Sequence, residues 1–188
     1  LQAQKWYLEV MSKLWKVADI NIKFVPYLMH WKKEWEENIV QHCIQEEQKE
    51  KYIPYLNCFL AEEWKEAACR KEVKIDEKKL SACVDKTKKD INYDETVEKS
   101  TEQYPKFNLN LKEAGKAWVQ WSPTLVLNWK KIEQIWRNAK AYADIICSSF
   151  KDKPEECNQE FQNVVFDPMF GFTSWNWANI ENSACWVQ

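Results

Sequence analysis

The hydrophobic residues of this chain recur mostly at the spacing of an amphipathic helix. Residues 4–17 carry one apolar stripe, and residues 32–104 are almost wholly helical in character. Within the longer region, Asp76 is a residue type that commonly caps a helix N-terminus. A further helix is predicted over residues 138–150. The pattern therefore predicts a protein in which helices dominate.

Two stretches have the pattern of strands instead. Residues 20–25 alternate apolar and polar positions and predict a strand that ends at Pro26. The apolar runs 125–127 and 132–135 predict the two strands of a hairpin. Residues 158–188 have weak periodicity, and we expect them to form a flexible tail. The order of elements is that of an α/β protein.

The turn expected inside the hairpin has an unusual sequence. Asn128-Trp129-Lys130 stands where an Asn-Gly turn is expected. The composition repeats this oddity, because the chain has 12 Trp and 2 Gly in 188 residues. Their sum of 14 (12 + 2) is roughly 7% of the chain, which is about the usual share of glycine alone. A genetic code that reads UGA as glycine, translated as if UGA meant tryptophan, would produce this pattern.

The tryptophans expected to be glycines are those in turn-like or terminal contexts. They are Trp31, Trp118, Trp121, Trp129, Trp136, Trp175, Trp177 and Trp186. The alternative is a genuinely tryptophan-rich protein that binds carbohydrate or a membrane interface. The tryptophans follow turn positions and form no helical or strand stripe, which favours the altered genetic code.

Charge and cysteine content narrow the function classes. A net charge of −2 gives no electrostatic footprint for nucleic acid, and no apolar run approaches the roughly 20 residues of a membrane span. Seven cysteines without a C-x-x-C pair indicate structural disulfides in an oxidising compartment and no zinc ribbon. Buried free thiols are the alternative. The odd count leaves one cysteine without a partner in this chain.

Spacing predicts three disulfides. Cys147 and Cys157 flank a helix end and a proline, so the chain can fold back between them. Cys58 and Cys69 would be about 16 Å apart on one continuous helix, beyond the roughly 7 Å limit for a disulfide. They can pair only if Trp64 marks a turn.

Two further expectations follow from these pairs. Cys43–Cys83 is the remaining bridge, and Cys185 stays free in the predicted tail.

The segment W-S-P-T-L-V-L-N-W, residues 121–129, places a proline directly before an apolar strand. Such an X-Pro bond is a candidate for the cis form, with an ordinary trans turn as the alternative. The stretch S-P-T-L-V-L-N resembles the cis-proline loop and following strand of the DsbA-like thiol–disulfide oxidoreductases, in the thioredoxin superfamily. Other segments with this resemblance are L-Q-A-Q, F-V-P-Y-L-M-H, C-I-Q-E-E-Q and I-C-S-S-F-K-D-K-P-E-E-C.

The resemblance implies an α/β, thioredoxin-like fold with a helical insertion, lacking its first strand and C-x-x-C turn. Residues 1–31 and 106–157 would form the thioredoxin-like part, and 32–105 the inserted helical subdomain. The family's reactive motif would directly precede Leu1, so this chain would contain no catalytic cysteine and would by itself be inactive. The expected substrate-binding residues are Ser122, Pro123 and Thr124.

The function implied by the resemblance is disulfide formation or exchange in envelope or secreted proteins. The expected partners are protein thiols or disulfides and a membrane redox partner, in an extracytoplasmic compartment. No cofactor, metal ion or nucleic acid is expected. The alternative is a redox-inactive thioredoxin-like envelope protein that binds peptides or a partner protein.

Overall fold

The computed structural model describes residues 2–27, 32–63, 65–101, 104–133, 137–167 and 169–173. Within these residues the α-helices are α1 (Gln2–Leu14), α2 (Lys32–Glu47), α3 (Lys49–Ala61), α4 (Glu66–Glu72), α5 (Glu77–Asp90), α6 (Leu111–Lys116) and α7 (Ala139–Ser148). The strands are β1 (Leu125–Leu127) and β2 (Lys130–Ile132). A π-helical turn (Asp94–Glu98) and two 3-10 turns (Asn108–Asn110 and Glu155–Asn158) complete the elements. The fold is mostly helical, with one small antiparallel sheet.

The predicted helix starts are formed by side-chain caps. Asp76 accepts hydrogen bonds from the backbone N–H groups of Lys78 and Lys79 at the start of α5, both at 3.1 Å. Asn138 accepts from the N–H of Ala141 at 2.8 Å and starts α7. These bonds satisfy N–H groups that have no partner within the helix. The two helices therefore begin where their local sequence predicts.

The predicted helical region, residues 32–104, is divided into separate helices packed against one another. Helix α2 packs against α3 and α5, and α3 also packs against α1 and α4. Gln48 lies between α2 and α3, and its side chain bonds both the N–H and the carbonyl of Asp76. Gln48, which separates α2 from α3, thus also positions the start of α5.

Helix α1 separates two hydrophobic clusters. Leu8 and Met11 of α1 belong to the larger cluster, which α2, α3 and α5 complete. Trp6, Val10 and Leu14 face the other way and pack against α7. Two stripes on one helix explain why most apolar positions of α1 are buried, and they place α1 at the centre of the fold.

A buried polar stripe runs along α2. Glu37, Gln41, Gln45 and Gln48 follow one another at spacings of four, four and three residues, so they share a helix face. All four residues are buried. Their side chains bond to other buried polar groups or to backbone, as buried polar groups require. This stripe connects α2 by hydrogen bonds to Gln4 of α1, Tyr55 of α3, the backbone of Ile22 and the start of α5.

The strand predicted at residues 20–25 is wrong, although the segment is extended. Ile20, Ile22 and Phe24 pack against the larger cluster, as the alternation predicts. The backbone of Ile22 bonds to the side-chain amide of Gln45, at 2.8 Å and 3.0 Å, and the N–H of Phe24 donates to Asn110 at 2.8 Å. Side chains therefore take the place of a partner strand.

The hairpin forms, but its second strand begins earlier than predicted. Leu125 pairs with Ile132, and Leu127 pairs with Lys130, so β2 covers Lys130–Ile132. The predicted strand began at Ile132 and ran to Ile135, and residues 134–136 lie outside the described residues. At this coarse level the chain is an α/β protein whose sheet has two strands in the part described.

The stretch after the last 3-10 turn packs on the body of the protein. Phe166 is buried in the cluster between α1 and α7. Lys5, itself buried, donates hydrogen bonds to the carbonyls of Asp167 and Met169. The N–H of Gly171 donates to the carbonyl of Leu60. The first half of the predicted tail is therefore packed, whereas residues 174–188 lie outside the described residues.

No helix among the described residues combines the length and the hydrophobicity that crossing a bilayer requires.

Candidate functional site

The proline loop is a closed bend on the surface. The Ser122–Pro123 peptide bond is cis. The Thr124 hydroxyl donates to the carbonyl of Trp121 at 2.6 Å, which closes the loop across the proline. The three residues predicted to bind substrate, Ser122, Pro123 and Thr124, therefore form one compact turn directly before β1.

The loop lies beside α1. The Tyr7 hydroxyl donates to the carbonyl of Thr124 at 3.5 Å. Tyr7 follows Gln2 by five residues, so this contact lies about 8 Å along the helix from its first residue. Leu125 and Leu127 continue from the loop into the cluster that α1 and α7 share. The loop is thus anchored to the N-terminal half of the central helix.

Two tyrosines lie beneath the loop. The rings of Tyr7 and Tyr142 are tilted against each other, with centroids 5.0 Å apart. Burial raises the pKa of the Tyr7 hydroxyl, and the neighbouring Tyr142 raises it further. Burial also raises the pKa of Tyr142, although the Tyr7 hydroxyl and Arg137 oppose that rise. Both hydroxyls therefore stay protonated at physiological pH, and the Tyr7 hydroxyl bonds the loop.

Two tryptophans beside the loop have backbones that favour glycine. Asn128 and Trp129 form the hairpin turn with φ values of +49° and +64°. Positive φ at both central positions is the type I′ turn, for which Asn-Gly is the preferred sequence. Trp129 is 70% exposed, so packing does not explain its presence.

Trp118 occupies a second such position, just after α6. Its φ is +53°, and its N–H donates to the carbonyl of Gly115 at 3.3 Å. The N–H of Val119 donates to the carbonyl of Ala114 at 2.9 Å. These two bonds make the Schellman motif, whose left-handed residue is usually glycine. Trp118 is 80% exposed.

Trp121 differs from Trp118 and Trp129. It is 56% exposed but does not have a positive φ, so its backbone does not call for glycine. The other five candidate positions lie outside the described residues; they are Trp31, Trp136, Trp175, Trp177 and Trp186. Trp6 is of another kind, because it is 1% exposed and stacks on Tyr142.

Six cysteines are paired, in the combinations that the sequence predicts. Cys43–Cys83 links α2 to α5, and Cys147–Cys157 links α7 to the last 3-10 turn. Cys58–Cys69 links α3 to α4, with Cα atoms 5.6 Å apart. The intervening Trp64 lies outside the described residues, as does Cys185. Every cysteine that the structure describes is therefore in a disulfide.

A buried acid on α2 was missed from the sequence. The Tyr55 hydroxyl donates to both Glu37 carboxylate oxygens, at 2.8 Å and 3.0 Å. Gln41 donates to Glu37 at 2.9 Å, and Gln4 of α1 donates to Gln41 at 2.6 Å. Burial raises the pKa of Glu37 to about 7, although the bonds from Gln41 and Tyr55 oppose the rise. The four-residue spacing of Glu37 and Gln41 beside apolar positions was the available signal.

The described residues contain no group of His, Cys, Asp and Glu side chains arranged to hold a metal ion.

Comparison of the chain with protein families, with curated proteins and with solved structures finds no match. The candidate site therefore rests on its own geometry and on the sequence resemblance given above.

Proposed function

We propose that the protein is an exported thiol–disulfide oxidoreductase of the DsbA-like kind, whose reactive cysteine motif precedes Leu1. The observation that carries this proposal is the contact between Tyr7 and Thr124. It joins the loop of Ser122, Pro123 and Thr124 to the N-terminal half of α1, about 8 Å along the helix from Gln2. A reactive motif directly before α1 would face this loop.

The position before α1 suits a reactive cysteine for an electrostatic reason. The N–H groups and the dipole at a helix N-terminus stabilise a thiolate and lower the pKa of the thiol. That thiolate would attack a substrate disulfide, form a mixed disulfide and release the substrate's other sulfur as a thiolate. The second cysteine of the motif would then attack the mixed disulfide. The loop would bind the substrate backbone while these steps occur.

The proposed domain division follows from the same resemblance. Residues 1–31 and 106–157 would form the thioredoxin-like part, and residues 32–105 the inserted helical subdomain. Helix α1, strand β1 and α7 pack around one cluster, which supports treating them as one unit. A strand upstream of Leu1 would enlarge the small sheet.

An extracytoplasmic location is part of the proposal. Three disulfides in a chain of this length fit an oxidising compartment. The substrates would be thiols or disulfides of envelope or secreted proteins, and a membrane redox partner would restore the reactive cysteines.

The test is an exchange assay on the chain extended upstream of Leu1. We expect the extended protein to accelerate the reduction of insulin by dithiothreitol. The matched control replaces the first cysteine of the motif by serine and should show only the uncatalysed rate, as should the chain that starts at Leu1. An extended protein that carries the motif but exchanges no disulfide would contradict the proposal.

The second candidate function is a redox-inactive envelope protein that binds peptides or a partner at the same loop. Each of the six described cysteines is in a structural disulfide, so the described residues offer no thiol for exchange. Peptide binding by an extended chain that lacks a C-x-x-C motif would establish this function in place of the first.

A further inference from the structure

A small cavity lies directly beside the proline loop. Its volume is about 170 Å³. Its lining includes Trp121, Pro123 and Thr124 of the loop together with Lys131 and Arg137, and the Lys131 ammonium lies 5.3 Å from the centroid of the Trp121 ring. This volume suits one side chain of a bound peptide and is too small for most drug-sized ligands, which occupy roughly 300–1,000 Å³.

Positive charge exceeds negative charge around this cavity. The charged side chains that line it are Lys131, Arg137 and Glu133. The Lys131 ammonium lies 2.9 Å from the Glu133 carboxylate, and Glu133 is 69% exposed. The charges of Lys131 and Glu133 cancel, so the guanidinium of Arg137 gives the lining of the cavity a net charge of +1. Tyr142 also lines the cavity, and its raised pKa keeps it neutral.

Arg137 stands at a position that is unfavourable for α7 itself. It directly precedes the N-cap residue Asn138, and the first turn of α7 has no acidic residue. A cation there adds to the positive end of the helix dipole, whereas an acid would stabilise it. An anion that binds in the cavity would neutralise the unfavourable positive charge of Arg137 at this helix end. A charge that is unfavourable for its own helix is expected at functional sites more than elsewhere.

We propose that this cavity accepts an acidic side chain of an extended peptide substrate that lies along residues 122–124. This inference rests on the proposed function, because it names a substrate preference of the same site. The planar guanidinium of Arg137 matches a carboxylate better than a neutral amide, since charge-assisted hydrogen bonds are the stronger ones. The charges that carry the preference do not come from any tryptophan. Trp121 lines the cavity, so the genetic code affects the shape of the cavity but not the charges of Lys131, Glu133 and Arg137.

The test compares three fluorescent peptides that differ only beside a central serine, which replaces the substrate cysteine. That position is Glu, Gln or Lys in turn, and binding is measured by fluorescence anisotropy at low and high salt. We expect the Glu peptide to bind about 5–10-fold more tightly than the Gln peptide at low salt. The Lys peptide should bind most weakly, and the differences should shrink at high salt.

Two variants assign the effect to the cavity. Arg137→Gln should abolish the preference for the Glu peptide. Lys140→Gln removes the same charge from α7 at a residue that does not line the cavity, and it should leave the preference intact. Equal binding of the three peptides would overturn the inference, as would a preference that survives Arg137→Gln.

Failure of the inference and failure of the proposed function are distinguishable. Absence of binding by all three peptides would also overturn the charge preference. The proposed function would still be judged by exchange activity of the extended protein on a disulfide substrate without charged side chains. Exchange activity without peptide selectivity would refute only the inference.

Discussion

Replacing Trp118 and Trp129 by glycine should stabilise the protein. Both residues have positive φ, at +53° and +64°, and both are mostly exposed. A left-handed backbone costs a residue with a side chain roughly 1–2 kcal/mol, whereas glycine adopts it freely. Most substitutions to glycine destabilise, so a gain in stability at both sites is a distinctive expectation.

The magnitude follows from what each substitution removes. Glycine also gives the unfolded chain more conformational freedom, which reduces the gain in stability by about 0.4–1 kcal/mol at each site. At Trp129 the substitution also removes the contact of the Lys116 ammonium, which lies 5.9 Å from the ring centroid. An exposed contact of this kind is worth roughly 0.5 kcal/mol. We therefore expect a net gain of about 1 kcal/mol from the two substitutions together, most of it at Trp118.

The assay is thermal and urea unfolding of the double variant beside the parent protein. For a domain of this size, about 1 kcal/mol corresponds to a rise in Tm of roughly 2–4 °C. Trp121→Gly is the matched control, because Trp121 is exposed in the same region without a positive φ. That control should be neutral or destabilising. A double variant that is less stable than the parent would contradict a preference for glycine at these two turns.

Three other substitutions test the core and the caps. Glu37→Gln should flatten the pH dependence of stability. The folded pKa of about 7 lies above the ordinary 4.5, so the cost of the buried charge is absent below pH 4.5 and complete above pH 7. At about 1.4 kcal/mol per pH unit, the parent should lose roughly 3 kcal/mol across that window, as measured by urea unfolding; an equal loss in Glu37→Gln would contradict the assignment. Asp76→Ala should lower the urea midpoint in the same assay, because two N–H groups of α5 lose their acceptor; an unchanged midpoint would contradict the capping role of Asp76. Lys5→Met should speed proteolytic cleavage within residues 161–173, since two carbonyls lose their donor; unchanged cleavage would mean that other contacts suffice.

Local sequence was enough to predict the elements whose stabilising contacts are themselves local. The cap of Asp76 acts on the next three residues, and the turn at Asn128 joins adjacent strands. Periodicity located α1 and α7 within a few residues. The pairs Cys58–Cys69 and Cys147–Cys157 close short loops, so spacing identified them.

The errors arose where distant groups decide the structure. Residues 20–25 alternate like a strand, yet the partners of their backbone are the side chains of Gln45 and Asn110. The segment after the last 3-10 turn lacks periodicity, yet Lys5, far away in sequence, bonds the carbonyls of Asp167 and Met169. Neither contact can be inferred from the composition of the segment itself.

In the candidate site, too, contacts between neighbouring residues were predictable and contacts between distant residues were not. The loop of Ser122, Pro123 and Thr124 was predicted from adjacent residues. Its position beside α1 depends on Tyr7, and the charge of the cavity depends on Lys131 and Arg137. These residues are separated in sequence and are brought together only by the fold, so sequence spacing gave no signal for them.

The nucleotide sequence immediately upstream of the Leu1 codon tests the proposed function most directly. We expect two cysteine codons separated by two others, directly before the Leu1 codon, and codons for an apolar strand-forming run before them. A continuous reading frame with no cysteine codon in that stretch would contradict the oxidoreductase proposal and leave the binding protein as the better explanation.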